Sequence, residues 1–247
     1  MSGSTTTYTT ARFLSPDYLT QGADNVISCP LWASGALVAP TSGTVSVYDA
    51  GNNLVVNAAA VTVAASIATY TIPASVLPST LARGMGWRIE WSLVVSTITT
   101  VYRNSAGLVK SQLAPVVTDA DLFRRVSGLN PAGTAPLSSL TNYQAYLDEA
   151  WISLLGKLTG KGNLPHLIME PTALREPHLF LTLSLIFSDF RTRLDNDKWA
   201  EQAKEYDEKY SKAWDGLAFE YDTSDSGQSD GRRKRGANPS IWMGGFD

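Results

Sequence analysis

Two histidines and a single cysteine are the residues of this 247-residue chain whose side chains are best suited to metal binding or nucleophilic chemistry. His166 follows a loop-forming run at 163–165, and His178 follows Pro177 at the predicted start of a helix. Zinc sites need three or four ligands at set spacings, as in an HExxH helix, and neither histidine has such neighbours in sequence. Cys29 has no second cysteine with which to form a disulfide or a thiolate cluster. The sequence therefore predicts structural imidazoles and no metal site.

Paired carboxylates could perform acid–base chemistry, and two pairs are neighbours in sequence. Asp119 and Asp121 fall in the first turn of a predicted helix, where negative charge favours the helix dipole, and Asp148 and Glu149 fall on a helix surface. The sequence contains no GxSxG elbow, P-loop or GxGxxG motif, and the Gly-Met-Gly run at 84–86 opens a predicted strand where phosphate binding requires a helix. We therefore predict that the chain is not an enzyme and takes no cofactor.

A cluster of four basic residues precedes a segment rich in large apolar side chains near the end of the sequence. The cluster could contact phosphates, act as a localisation signal, pair with an acidic rim, or simply keep the segment soluble. Large apolar groups on a tether are unfavourable in water, which predicts either a docking element for a partner or a tail that folds back on its own helices. The predicted partner-binding residues are Arg232, Arg233, Lys234, Arg235, Ile241, Trp242, Met243 and Phe246.

Composition favours a protein that assembles with copies of itself or with partners. Hydrophobic residues make up 44% of the chain, whereas charged residues make up only 17%, compared with about 25% in typical soluble domains. The net charge of -3 argues against a general attraction to nucleic acid or to an anionic membrane, so any such contact must be local. The sequence has no run approaching the roughly 18 apolar residues that span a bilayer, and its first residues lack the pattern of a secretion signal. We expect no membrane contact.

The character of the sequence changes near residue 117. Only nine charged residues precede this point, and the apolar residues before it alternate in steps of two, as they do in strands. After it, apolar residues recur in steps of three and four, as they do in helices. We therefore predict an α+β multidomain chain: an N-terminal arm (1–22), an antiparallel β-sandwich of immunoglobulin-like size (23–117), a small helical bundle (118–222) and an extended, flexible C-terminal arm (223–247).

The clearest strand pattern runs from Trp87 to Val95, where Trp87, Ile89, Trp91 and Leu93 fall on one face and polar residues on the other. A turn-forming run at 49–53 predicts a hairpin. The remaining predicted strands span 26–32, 44–49, 54–56, 67–72, 98–103 and 108–113.

The helical part is predicted to contain three long helices and one short helix. Thr141 and Gln144 match a capping box at the start of the first long helix, and Gly160 with Gly162 predicts its end. The second long helix carries an apolar stripe from Leu179 to Leu194. The predicted spans are 119–126, 141 to about 159, 172 or 177 to 194, and 197 to about 218.

The layout of this helical part resembles the adaptor proteins of tailed bacteriophages, which are head–tail connector proteins. The resemblance covers residues 118–222 and the C-terminal tail. It rests on the run at 115–122 before a helix, the loop at 163–165 and the helices that contain 179–194 and 206–214.

This resemblance implies a structural virion protein in the neck between capsid and tail, assembled in the host cytoplasm. Its partners would be the portal protein, the next neck or tail protein and further copies of itself in a ring of about twelve. The ring would extend the DNA channel, so genomic DNA would contact it in passing. A C-terminal arm would reach the portal, with Ile241, Trp242, Met243 and Phe246 as anchor and Arg232 to Arg235 as its charged approach. Deleting residues 223–247 is then expected to abolish portal binding and to leave both domains folded.

The β domain resembles the immunoglobulin-like modules that phages carry on virion proteins, and we expect it on the outer edge of the ring. An alternative function is a glycan-binding or host-adhesion module, in which Trp32, Trp87 and Trp91 would stack on sugar rings. Against this, Trp87 and Trp91 share a strand face with Ile89 and Leu93, which is typical of core residues. A further alternative is a stopper or tail-terminator ring of the same neck.

Overall fold

A computed structural model of the chain describes residues 9–10, 17–133, 137, 140–194 and 197–234. The chain divides into two compact units, Met1–Gln112 and Leu113–Asp247. Within the described residues, the first unit is built from β-strands, and the second contains four α-helices and a two-stranded sheet. The prediction of a mixed α+β chain is confirmed at this level.

The β unit has two sheets, each with five described strands. Sheet 1 contains β1 (Thr9–Thr10), β3 (Asn25–Ala33), β4 (Ala36–Leu37), β7 (Thr62–Ala64) and β8 (Ile67–Ile72), and its pairs are antiparallel. Sheet 2 contains β2 (Asp17–Thr20), β5 (Ser42–Tyr48), β6 (Leu54–Ala60), β9 (Gly84–Val95) and β10 (Ile98–Val109), in the order β2-β10-β9-β5-β6. Among the described strands of sheet 2, β2 and β10 pair in parallel and the other pairs are antiparallel.

The inward side chains of both sheets form one hydrophobic core. The alternation predicted for β9 is confirmed, because Trp87, Ile89, Trp91 and Leu93 are all at most 2% exposed. Inward residues of sheet 1, such as Leu31 and Ile72, are fully buried in the same cluster. Each fully buried side chain of this size stabilises the fold by about 1.5–3 kcal/mol.

Several strands differ from the prediction. The strand predicted at 98–103 continues to Val109 as β10, with a register shift between Ala106 and Gly107, and residues 110–113 of the strand predicted at 108–113 are not in a strand. The short strands β1, β2, β4 and β7 were not predicted, because two to four residues are too few to show alternation. Residues 17–20, predicted to lie in an N-terminal arm, belong to sheet 2, and the side chain of Asn25 closes the loop after them by hydrogen bonds to the backbone of Thr20. The rest of that predicted arm, apart from Thr9 and Thr10, lies largely outside the described residues.

The helical unit contains α1 (Asp119–Arg125), α2 (Gln144–Gly160), α3 (Arg175–Leu194) and α4 (Asp197–Asp215). These are followed by a hairpin of β11 (Ala218–Tyr221) and β12 (Gly231–Lys234). Among the described residues of the unit, buried apolar side chains form two clusters, one of residues from α1, α2, α3 and the first half of α4, and one of residues from α2, the second half of α4 and the hairpin. The unit begins at Leu113, and Val117 is buried in the first cluster, whereas the prediction placed 113–117 with the β domain.

The predicted capping box at Thr141 is wrong. Helix α2 begins at Gln144, whose backbone N–H is bonded to the Asn142 side chain at 3.3 Å, and Tyr143 donates its backbone N–H to Asp119 Oδ1 at 3.0 Å. Burial of the Tyr143 ring, which is 1% exposed, fixes this start two residues later than the sequence pattern suggests. A side-chain cap is found instead at α1, where Asp121 Oδ2 accepts the backbone N–H of Thr118 at 3.0 Å.

Helix α3 is buried on most of its surface, and α4 packs along it. The predicted apolar stripe of α3 is confirmed for Leu179, Leu183, Ile186 and Phe190. The ring of Phe187, which is fully buried, stacks against the α4 rings of Trp199 at 5.7 Å and Tyr206 at 5.5 Å. The outer face of α4 is charged and includes an ion pair between Glu205 and Lys209.

Candidate partner-binding hairpin

The predicted partner-binding residues fall into two groups. Arg232, Arg233 and Lys234 lie on β12 of the C-terminal hairpin. The other five predicted residues lie outside the described part of the chain, and they are Arg235, Ile241, Trp242, Met243 and Phe246.

Strand β11 anchors the hairpin in the second core of the helical unit. Phe219 and Tyr221 are 0% and 3% exposed and pack with residues of α2 and α4. The Tyr221 hydroxyl accepts the backbone N–H of Leu164 at 2.9 Å. Met169 donates its backbone N–H to the Glu220 carbonyl at 3.0 Å, so the 165–169 segment lies along the other side of β11. The hairpin is therefore part of the helical unit.

Asp222 organises the loop between β11 and β12. The residue is 2% exposed, and its carboxylate accepts the backbone N–H groups of Ser226, at 3.0 Å, and Gly227. Burial alone would raise the pKa of this carboxyl, but these hydrogen bonds, together with those from Ser224 and Ser226 hydroxyls, outweigh it and hold the pKa below its ordinary value. The loop returns to β11 where Asp230 donates its backbone N–H to the Tyr221 carbonyl at 2.9 Å.

This loop corrects the predicted course of the C-terminal arm. Residues 223–235 were predicted to bury nothing and to lack order, because the run at 223–231 is rich in Ser, Asp and Gly and the run after it is basic; of these residues, Arg235 lies outside the described part of the chain. That composition also suits a tight loop whose backbone is satisfied by side-chain oxygens, and here the buried carboxylate of Asp222 provides them. Residues 223–234 therefore belong to the hairpin, and a deletion from 223 would remove β12 as well as the tail.

The basic residues of β12 have different surroundings. Arg233 lies opposite Phe219, its guanidinium is 4.1 Å from the centre of the Tyr221 ring, and its Nη2 donates to Thr223 Oγ1 at 3.3 Å. Arg232 lies opposite Glu220 on the other face of the hairpin and is exposed. Lys234 pairs with Ala218 in the backbone register of the two strands. Arg232 and Arg233 are both exposed, and Arg233 in addition contacts the hairpin through Tyr221 and Thr223.

The two histidines and the cysteine are buried within the fold. His178 is fully buried, its Nε2 lies 2.9 Å from the Leu147 carbonyl, and its ring packs 5.1 Å from that of Trp151. Burial lowers the pKa of both His178 and His166. Burial, with a smaller effect of Asp17, raises the pKa of the Cys29 thiol to about 12, so the thiol is protonated at neutral pH.

The carboxylate pairs also have structural partners. Asp121 forms an ion pair with Arg175, with 2.7 Å between Oδ1 and Nη2, and Asp119 accepts the backbone N–H of Tyr143. Asp148 accepts a hydrogen bond from the Gln144 side chain at 2.7 Å. Within the described residues, no group of three or more His, Cys, Asp or Glu side chains is arranged to hold a metal ion. In the same part of the chain, no helix has the length and apolar character required to cross a membrane.

Two of the three tryptophans considered for sugar stacking lie in the core of the β unit. Trp87 is 2% exposed and Trp91 is fully buried, so their rings have no face available to a ligand. Trp32 is half-buried.

Comparisons with known proteins give no family for this chain. No protein-family model and no curated protein matches it. Among solved structures it is similar to a chimeric titin Z1Z2 functionalized with a KLER exogenous peptide from decorin, with 14% sequence identity and a TM-score of 0.26. That match covers 42% of this chain and 95% of the titin chain. A TM-score of 0.26 is too low to establish a shared fold.

Proposed function

We propose that the chain is a structural virion protein of a tailed bacteriophage: a head–tail connector adaptor that binds the portal as a ring and joins the DNA-filled capsid to the tail. In this proposal the first unit is an immunoglobulin-like β-sandwich on the outer edge of the ring. The second is a small helical bundle that lines an extension of the DNA channel, and the residues after the hairpin form an extended arm. The protein acts through binding energy alone.

The observation that carries this proposal is the anchored hairpin. Because Phe219 and Tyr221 are buried in the helical unit, the basic strand β12 has a fixed position, and the apolar residues 241, 242, 243 and 246 follow it within a short stretch of chain. A fixed basic strand next to an apolar segment is suited to docking on a partner, with charge giving orientation and apolar side chains giving affinity.

Ring geometry explains how modest contacts could make a strong joint. Each copy would contribute one arm, and closure of the ring would make the arm contacts mutually reinforcing. The low fraction of charged residues, 17%, supports a surface that packs against neighbouring copies. A stopper or tail-terminator ring would use the same architecture, and it differs from an adaptor in binding a neck or tail protein in place of the portal.

The test compares the full chain with a chain that ends at Lys234. This truncation keeps both strands of the hairpin, so it should leave the fold intact. We expect the full chain to bind the portal ring of the phage that encodes it, and the truncated chain to lose at least tenfold in affinity by surface plasmon resonance. Equal binding by the two chains would show that the arm has no part in docking, and absence of binding by the full chain would overturn the adaptor proposal.

A further inference from the structure

A polar patch lies on the face of sheet 2 that points away from the core. It consists of two rows of side chains that cross β5, β9 and β10. The register of these strands places Tyr48, Arg88 and Ser105 in one row and Ser46, Glu90 and Arg103 in the other. We call these six residues the arginine patch. It contains three of the nine charged residues found before residue 118, on a unit whose surface is otherwise mostly uncharged.

Both guanidinium groups of the patch are held in place by neighbours. Arg103 Nε donates to Glu90 Oε2 at 2.7 Å, and Arg88 Nε lies 4.0 Å from the same oxygen. The Arg88 guanidinium also lies over the Tyr48 ring, 4.3 Å from its centre. Because these contacts already order the two long arginine side chains, binding a ligand would cost little additional side-chain entropy of the protein.

Both arginines lie beside the carboxylate of Glu90, and together they have more N–H donors than this carboxylate can accept. Each guanidinium carries five N–H donors, and a carboxylate can accept two of them side by side. Arg88 Nε is buried and has no hydrogen-bond acceptor among the described residues. The side chains of Arg88 and Arg103 are 39% and 68% exposed, so their outer N–H groups can reach a ligand. With two cations and one anion, the patch has a net charge of +1.

We propose that the arginine patch binds the carboxylate of an acidic saccharide. The other members of the patch, Tyr48, Ser46 and Ser105, all carry hydroxyl groups. One net positive charge among hydroxyls matches a ligand that carries one carboxylate among hydroxyls. Nucleic acids and acidic peptides present repeated charges and require several cations in a row, which this patch does not offer. The proposal concerns the β unit alone and goes beyond the connector function, since it holds whether or not the chain binds a portal.

The experiment is a titration of the full-length chain, labelled with ¹⁵N, with sodium glucuronate and with N-acetylneuraminate. We expect both acidic sugars to shift the Nε–H signals of Arg88 and Arg103 saturably, and glucose at the same concentrations to leave them unchanged. Hexaglutamate serves as the acidic-peptide probe and is expected to bind more weakly than either acidic sugar.

Three variants make the test specific. Arg88→Gln should weaken binding of the acidic sugars at least tenfold, and Arg88→Lys should give a smaller loss because it keeps the charge but not the planar fork. Arg83→Gln, in the same unit but outside the patch, is the matched control and should bind as the unaltered chain does. Tryptophan fluorescence of the buried core confirms that each variant is folded. The proposal is overturned if neither acidic sugar binds, if hexaglutamate binds more tightly than both, or if Arg83→Gln weakens binding as much as Arg88→Gln.

Discussion

Adjacent residues of β12 have different contacts because a strand presents successive side chains to opposite faces. Arg233 packs on Tyr221 and bonds to Thr223, so it contributes to the stability of the hairpin. Arg232 is exposed on the other face, where a partner can reach it. The sequence shows only four consecutive basic residues, and this division becomes visible once the register with β11 is known.

This division predicts separate effects of two substitutions. Arg232→Ala should weaken binding to the portal ring severalfold and leave the hairpin unchanged. Arg233→Ala should instead speed the exchange of backbone amide hydrogens in residues 218–234, because the hairpin loses its contact with Tyr221. Hydrogen exchange followed by mass spectrometry and a binding assay on both variants measure the two effects. Faster exchange in Arg232→Ala than in Arg233→Ala would show that the assignment is reversed.

The burial of the His178 imidazole predicts that the free energy of unfolding depends on pH. Its pKa in the folded chain is below the ordinary value of 6.5, because burial disfavours the imidazolium, although the Leu147 carbonyl and Asp148 act in the opposite direction. The unfolded chain therefore binds protons more strongly, and the free energy of unfolding falls as the pH drops below about 6.5. His166 has a pKa lowered by burial and contributes with the same sign.

The measurement is urea denaturation followed by the circular dichroism of the helices, at several pH values between about 7.5 and 5.5. His178→Gln can still donate a hydrogen bond to the Leu147 carbonyl but does not titrate. We expect this variant to lose less stability on acidification than the unaltered chain. An unchanged pH dependence in His178→Gln would contradict the role given to this imidazole.

At the scale of elements, the hairpin β11–β12 depends on one buried carboxylate. Asp222 satisfies backbone N–H groups that would otherwise be left without acceptors in a tight loop. Asp222→Ala should therefore expose the amides of Ser226 and Gly227 and increase proteolysis within residues 223–231. Gln228→Ala, at an exposed position of the same loop, is the control and should be cleaved much more slowly. Similar cleavage of the two variants would argue against this role for Asp222.

Substitution by alanine is predicted to change stability in opposite directions at two glycines, one in sheet 2 and one at the end of α2. A Cβ atom added at Gly43 of β5 would lie 2.5 Å from Leu93 Cδ2 and 2.8 Å from the Ser92 carbonyl oxygen, so Gly43→Ala should destabilise the chain by about 1–3 kcal/mol. A Cβ atom at Gly160, at the end of α2, would meet nothing within 4 Å. Gly160→Ala should therefore raise stability by up to about 1 kcal/mol. Thermal denaturation of both variants checks the signs, and equal effects would refute the argument.

Long elements could be predicted from the sequence, and elements fixed by tertiary contacts could not. Strand β9 and helix α4 have many residues with clear alternation or helical spacing, and both occur close to the predicted spans. The start of α2 could not be predicted, because Asp119, distant in sequence, supplies the acceptor for Tyr143. The hairpin was missed for the same reason, since its anchor is the core around Tyr221. The arginine patch also depends on register across three strands, which composition does not reveal.

At the scale of the whole molecule, the two units have different proposed functions. The helical unit carries the anchored hairpin and would dock on the portal, and the β unit carries the arginine patch and would face outward. Their separate cores predict that the helical unit folds without the β unit. A fragment of residues 113–247 should unfold cooperatively and bind the portal ring, as measured by circular dichroism and light scattering. A fragment that is unfolded by itself would show that the units depend on each other.

The central claim is that the chain joins a portal as a ring, and its most direct test is a mass measurement. Native mass spectrometry would be applied to the purified chain alone, to the portal alone and to their mixture. The adaptor proposal predicts a complex whose added mass equals one copy of the 26.7 kDa chain for each portal subunit. A mixture that shows only the two separate species, or one in which a few copies bind without matching the portal stoichiometry, would contradict it.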